Sequence, residues 1–375
     1  MQTLYLLDAY ALIYRAYYAL IRSPRINSKG QNTSAVYGFV NTLNDVLNTE
    51  KPDFIGIAFD PAGGTFRHEA YPAYKAQREA TPEDIKWAVP VIKDIIRAYN
   101  IPILEVPGYE ADDVIGTLAM KGREAGLEVH MVTPDKDYAQ LVKPGIFMRR
   151  PGHGASAMEK LGPDEVCQKY GISHTDQVID LLGLMGDTAD NVPGCPGVGE
   201  KTAVKLITQF GSIDNLLNST DQLKGAIKRK VEENKEQISF SKFLVTIKTD
   251  VPIDLNLDTL RTTEPNKEAL RPIYENLEFR AFIKKLDDKP AEVQKSVSEW
   301  GALFDAQPDN HSDEPKEITH KTLNDVPHTY ILVDNENDAR QLCEHLLTFS
   351  TVAIDTETTS IDAISAKLVG LSFAV

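Results

Sequence analysis

At 375 residues the chain is long enough for two or three domains, each with its own core. A content of 42% hydrophobic and 25% charged residues is that of a soluble globular protein, and a net charge of −15 argues against coating nucleic acid through overall charge. Cys167, Cys195 and Cys343 are odd in number and lack metal spacing, and Asp8 and Arg15 break the apolar N-terminus. These features point away from zinc, a signal peptide and a membrane span, and towards a cytoplasmic protein.

In chain order, Leu4–Leu7, Phe54–Phe59, Ile101–Val106 and Val129–Val132 read as short buried strands without polar alternation. Helical patterns at Ala35–Thr49, Pro82–Tyr99 and Asp112–Ala125 lie between them. The alternation predicts an α/β domain over residues 1–165, with a mostly parallel sheet and helices on both faces. From 166 to 286 strands give way to helices joined by Gly and Pro turns. Gly162–Tyr170, Asp176–Met185, Glu200–Phe210, Ile213–Leu217, Lys224–Phe243 and Asn266–Leu277 are the candidates. Residues 287–327 are rich in Asp, Glu, Lys, Ser and Pro and read as a linker. A new α/β pattern then runs from 328 to 375: TYILVD, a helix around Glu336–Leu347, the strand TVAID, and LVGLSFAV. It is read as the front of a truncated third domain.

Nine carboxylates carry most of the chemistry: Asp8, Asp60, Glu110, Asp112, Asp113, Asp135, Asp137, Asp187 and Asp190. Four of their five clusters follow apolar runs, which places them at the carboxyl edge of the sheet, the usual ligand site of open α/β folds. So many acids repel one another unless cations sit among them. Carboxylates without interleaved His or Cys suit Mg²⁺ or Mn²⁺, two of which can clamp a phosphodiester displacement. Glu110 with Asp113, and Asp187 with Asp190 if helical, are spaced to share a helix face. The competing explanation, that acids merely cap helices, weakens when five clusters coincide.

Pro193 to Ala203 mimics a phosphate loop but puts Glu200 where lysine belongs and lacks a preceding strand. It reads instead as a hairpin between helices, with Gly194, Gly197 and Gly199 letting the backbone approach a phosphate and Lys201 and Lys205 adding charge. Phe66 to Arg78 interleaves Arg67, Lys75 and Arg78 with Tyr71 and Tyr74, a mixture suited to a single strand. Asp355 and Glu357, two apart on a predicted strand, form a possible incomplete second metal site.

LLDAYALIYRAYYA, FDPAGGTFRHEAYPAYKAQR, GYEADDVIGTLA, TPDKDYAQL and GLMGDTADNVPGCPGVGEKTA together resemble the 5′-nuclease domain of bacterial DNA polymerase I, a family related to flap endonucleases. AIDTETTSIDAISAKLVGLSFAV resembles the start of its 3′–5′ exonuclease domain. The resemblance implies a PIN-like, resolvase-like α/β fold followed by a helix–three-turn–helix domain. It implies Asp8, Asp60, Glu110, Asp112 and Asp135 around one metal, and Asp113, Asp137, Asp187 and Asp190 around another. Lys75 and Arg78 would steady the scissile phosphate, and the hairpin would grip duplex DNA, commonly with a K⁺ ion. Asp355 and Glu357 match proofreading ligands whose partner acids would lie beyond Val375. The activity implied is Mg²⁺-dependent cleavage near the 5′ end of a flap, nick or RNA primer in replication and repair, by a monomer that touches no membrane. A PIN-type ribonuclease and a non-catalytic flap-binding module are the rivals.

Overall fold

The computed structural model describes residues 1–151, 158–287, 333, 335–349, 352–358 and 367–374. The expected linker, apart from Asp287, and the expected TYILVD strand, apart from Val333, lie outside the described residues. The chain forms two compact units, 1–307 and 308–375.

Six strands build the sheet of the first unit: β1 (Thr3–Asp8), β2 (Phe54–Ala58), β3 (Ile103–Leu104), β4 (Glu128–Val132), β5 (Ile146–Arg150) and β6 (Glu159–Leu161). Their spatial order is β3-β2-β1-β4-β5-β6. The first five run parallel and β6 is antiparallel to β5. Sequence reading found β1 to β4 and missed β5 and β6, where Arg149, Arg150 and Lys160 break the apolar signal. β3 is shorter than its apolar run because Pro102 and Pro107 supply no ladder N–H.

Along β1 alternate side chains enter opposite cores. Tyr5 and Leu7 pack with Leu12, Val36, Ile92 and Ile95 from α1 (Ala9–Ala19), α2 (Ser34–Asp45) and the helix Glu83–Ala98. Leu4 and Leu6 pack with Val114, Ile115 and Leu118 of the helix Ala111–Glu124. Between these two long helices and α2 lies α3 (Phe66–Ala70), which makes them α4 (Glu83–Ala98) and α5 (Ala111–Glu124). Both faces are thus covered, as expected for a parallel sheet.

The helical part contains α6 (Pro163–Tyr170), α7 (Gln177–Met185), α8 (Glu200–Phe210), α9 (Ile213–Asn218), α10 (Gly225–Glu233), α11 (Lys235–Val245), α12 (Leu257–Leu260), α13 (Lys267–Leu277) and α14 (Arg280–Asp287). It has its own core of Leu184, Leu206, Ile207, Val231 and Ile238. The single helix expected over Lys224–Phe243 is two, broken at Asn234 (φ −122°, ψ 23°), whose side chain donates to Lys230 O at 2.7 Å. The expected boundary near 165 is not a clean division. Val178, Leu182 and Leu244 join the core under α5, and Leu270, Tyr274, Phe279 and Phe282 return to the core of α2 and α4.

The second unit shows the expected helix, α15 (Glu336–Leu346), and the antiparallel pair β7 (Ala353–Thr358) and β8 (Leu368–Ala374).

Candidate active site

Chain reversal at the sheet switch point, between β1 and β4, brings the acids together. Asp8 ends β1, where Oδ1 accepts from Ala11 N at 3.2 Å and Oδ2 from Thr133 Oγ1 at 3.1 Å. Asp60 follows β2 and accepts from Ala111 N at 2.8 Å, pinning the start of α5 beneath the β2 tip. Asp135 follows β4 and accepts from Asp137 N at 3.0 Å. Asp187 and Asp190 do not share a helix face. They lie in a turn closed by pairing of Asp187 with Val192, and Asp187 Oδ1 accepts from Ala189 N at 2.7 Å and Asp190 N at 3.3 Å. Helix capping and site building are therefore not alternatives: one carboxylate edge fixes the turn and the rest of the group faces the cleft.

Besides the buried Arg67, three cations stand among these acids. Lys75, in the left-handed region at φ 56°, places Nζ 2.6 Å from Glu110 Oε1 and 3.7 Å from Asp190 Oδ2. Arg78 pairs with Asp190, and Lys136, which sequence reading passed over between its two acids, lies 2.8 Å from Asp187 Oδ2. Lys75, Arg78, Asp112, Asp135, Asp137, Asp187 and Asp190 line one cleft.

Several expected residues are placed otherwise. Arg67 is not a surface contact for a nucleic acid: it is 1% exposed. Its guanidinium forks onto Asp113 at 2.8 and 2.9 Å, reaches Glu110 at 3.1 Å, and donates to Leu244 O and Thr246 O at 2.9 and 2.8 Å. Asp113 is fully buried, and its oxygens also accept from Glu110 N and Lys248 N at 3.1 and 2.8 Å. With two donors on each oxygen it has little left for a metal, unlike the ligand and catalytic role expected of it. Tyr74 is buried with its hydroxyl on Glu110 and Asp190 at 3.0 and 3.2 Å, so its ring does not stack on a base. Tyr71 is half-buried and packs edge-on against Phe240 at 5.6 Å.

The electrostatics record crowding. Burial, with the charges of Asp60 and Asp135, pushes Asp8 up to about 7. Burial and then Asp135 push Asp137 up to about 8. Burial also raises Asp60 and Asp112. Asp135 rises too, by the protein around it and by Asp190 and Asp187, although it reaches solvent at the cleft mouth. Glu110 goes the other way: burial opposes its ionisation, but Lys75 and Arg67 outweigh that. Asp187 is likewise held low by Lys136 against burial.

The donor set fits a hard divalent cation. It is all oxygen, burial and neighbouring acids raise Asp8, Asp112, Asp135 and Asp137, and the buried Asp137 Oδ1 has no hydrogen-bond partner. Among the described residues no three acids are already drawn tightly enough to grip one ion. Mutual repulsion and the pairs to Lys75, Arg78 and Lys136 account for that spread.

On the helical side, α7 rather than a strand leads into the glycine hairpin, in keeping with its rejection as a phosphate loop. Gly194 is buried, donating to Ser241 Oγ at 2.9 Å and accepting from Gln237 at 2.8 Å. It is a packing glycine rather than the expected phosphate contact. Gly197 (φ 70°) and Gly199 are exposed, as are Lys201 and Lys205. Lys230, from α10, stands against Gly197 and adds a cation that only the fold brings there. On β7, Asp355 is exposed and pairs in register with Ser372, and Glu357 is in register with Gly370.

The family profile of the 5′–3′ exonuclease N-terminal resolvase-like domain matches residues 3–171, and that of its C-terminal SAM fold matches residues 173–268. A DNA polymerase I of Bacillus subtilis is 41% identical over 79% of this chain and 33% of its own length. The chain spans about a third of the polymerases it matches in this way. A 5′–3′ exonuclease of Aquifex aeolicus is 37% identical over 76% of this chain and 96% of its own. Among solved structures, a bacteriophage T5 D15 flap endonuclease, in a pseudo-enzyme–product complex with DNA and metal ions, superposes with a TM-score of 0.55 at 17% identity. It covers 77% of this chain and all of that one, a likeness of fold alone. Both halves of the exonuclease are thus matched in order, and a relative of nearly matching extent stands beside them, so this chain belongs to the 5′–3′ exonuclease family.

Proposed function

We propose that the chain is a structure-specific 5′-nuclease that hydrolyses a phosphodiester near the 5′ end of a DNA flap, nick or RNA-primer remnant, as part of a DNA polymerase I in replication and repair. The observation that carries this reading is the convergence of acids from five chain segments: Asp112, Asp135, Asp137, Asp187 and Asp190 line one cleft with Lys75 and Arg78, and Asp8 and Asp60 lie close enough to feel the charges of Asp135 and Glu110. Asp8, Asp60, Glu110, Asp112, Asp135, Asp137, Asp187 and Asp190 would hold two divalent ions, Mg²⁺ with Mn²⁺ as substitute. Bound there, such ions supply Lewis acidity and hydroxide at neutral pH. Asp113 positions Glu110 and the start of α5 instead of ligating. Lys75 and Arg78, paired with acids in the cleft, are placed to exchange those partners for a phosphate. Gly197, Gly199, Lys201, Lys205 and Lys230 would hold the duplex backbone without reading sequence, with K⁺ at the hairpin carbonyls. Asp355 and Glu357 would belong to a proofreading site. No helix of the described residues is long and apolar enough to cross a membrane, and the free thiols Cys167, Cys195 and Cys343 suit a reducing cytoplasm; we take the chain to act as a monomer.

Cleavage of a 5′-labelled flap duplex in Mg²⁺ and in EDTA tests the reading, beside Asp60→Asn. Cleavage at the junction should need the metal and fall on the order of a thousandfold in the variant, with flap binding retained. Tight binding without cleavage in any divalent metal would leave only a binding module.

A further inference from the structure

Beneath the acids lies a hydroxyl with nothing to bond. Tyr138 belongs to the 3₁₀ turn Lys136–Leu141 that follows Asp135, and its ring is packed in the core under β1 and β4 at 1% exposure. Its oxygen has no hydrogen-bond partner among the described residues. Buried tyrosines ordinarily direct the hydroxyl at an acceptor, because phenylalanine fills the same space without stranding a donor.

The surroundings say what the hydroxyl faces. The charges acting on it belong, in descending order, to Asp8, Asp112, Asp135 and Asp60, acids from four separate segments. It therefore lies beneath the turn that follows Asp135, close to acids from four of the five clusters. Asp8 responds in turn: the hydroxyl eases its ionisation slightly, yet stops short of hydrogen-bonding geometry. The Asp8 oxygens accept from Ala11 N and Thr133 Oγ1, one each, and every carboxylate oxygen has room for a second donor.

Resting on the metal-centre reading above, we propose that Tyr138 is a positioning residue: in the metal-loaded protein its O–H donates to the Asp8 carboxylate and fixes that ligand. Thr133 and Tyr138 then hold Asp8 from two sides. Outer hydrogen bonds of this kind orient metal ligands, and their loss ordinarily costs about 10–100-fold in metal affinity.

The test uses the full 375-residue chain and Tyr138→Phe. Mn²⁺ binding is followed by the spectrum of the free ion, Mg²⁺ binding by calorimetry, and thermal unfolding is measured in EDTA and in Mg²⁺. Tyr138→Phe should weaken the tighter site about tenfold. In EDTA it should unfold at the same temperature or higher, since it removes a stranded donor, so the increment given by Mg²⁺ shrinks. In an Asp8→Asn background the tenfold effect should vanish. Undiminished affinity in Tyr138→Phe, or an equal loss of stability with and without metal, would reduce the hydroxyl to packing and overturn the proposal. A full tenfold loss persisting in Asp8→Asn would assign the bond to another ligand and overturn it as stated. If the unaltered chain binds neither ion, the metal centre itself falls, a result distinct from either of these.

Discussion

Arg67 directs all five of its donors inward, onto two carboxylates and two backbone carbonyls. A lysine there cannot reproduce the fork and would leave Asp113 buried and half-paired. Arg67→Lys should therefore cost about 3–5 kcal/mol in urea unfolding, against less than about 1 for Arg78→Lys, whose side chain is 52% exposed. Equal costs would refute the clamp. His130 gives a cleaner handle on pH. It is stacked between Tyr5 and Phe147 at 4.5 and 5.6 Å, and burial, then Arg149, pull it down to about 4. As pH falls from ~6.5 the unfolded chain takes up the proton first, so stability present above 6.5 is lost towards pH 4, by on the order of 3 kcal/mol. The stability lost in His130→Gln should shrink as pH falls from 7 to 4, and a loss independent of pH would refute the assignment. The acids of the site were legible in sequence because they follow strands. The fate of Arg67 was not, since its carbonyl partners Leu244 and Thr246 lie 177 and 179 residues away. Tyr138 gave no signal at all, because an unbonded hydroxyl has no sequence signature.

At the scale of elements, strands bounded by turn residues were read well, and those carrying arginines were not. Arg149 sits on β5 because Glu50 and the Tyr5 hydroxyl receive it at 2.8 and 3.4 Å, a tertiary fact. The glycine hairpin shows the same division. All three glycines look alike in sequence, yet a Cβ on Gly194, at φ 61°, would strike Gly186 N and come 2.7 Å from Met185 O, whereas one on Gly199 meets nothing within 4 Å. Gly194→Ala should lower stability by about 1–3 kcal/mol and take duplex binding down with it. Gly199→Ala should leave unfolding within about 0.5 kcal/mol while weakening duplex binding. Thermal melts beside fluorescence anisotropy on a labelled duplex separate the two, and matching melts for both variants would remove the distinction.

Over the whole molecule, part of the excess of negative charge sits where the fold most resists it. Asp8 at about 7 and Asp137 at about 8 lie above the ~3.9 of an unfolded aspartate, so the folded metal-free protein holds more protons between these values. The contribution of these two acids to stability should accordingly fall as pH rises from about 4 through 8, opposite in sign to that of His130. A divalent cation competes with those protons, so the rise in unfolding temperature on adding Mg²⁺ should be larger at pH 8.5 than at pH 6. A larger rise at pH 6 would contradict the raised acids.

The return of α13 and α14 to the first core has a consequence for biosynthesis. Phe282 closes a core whose members Tyr5 and Leu7 are made about 275 residues earlier. At roughly 5–20 residues per second, the ribosome takes about 15–55 s to travel between them. From the synthesis of Ile95 until Phe282 arrives, the aliphatic flank of Ile92 and Ile95 lacks its last cover and presents apolar surface that a chaperone can bind.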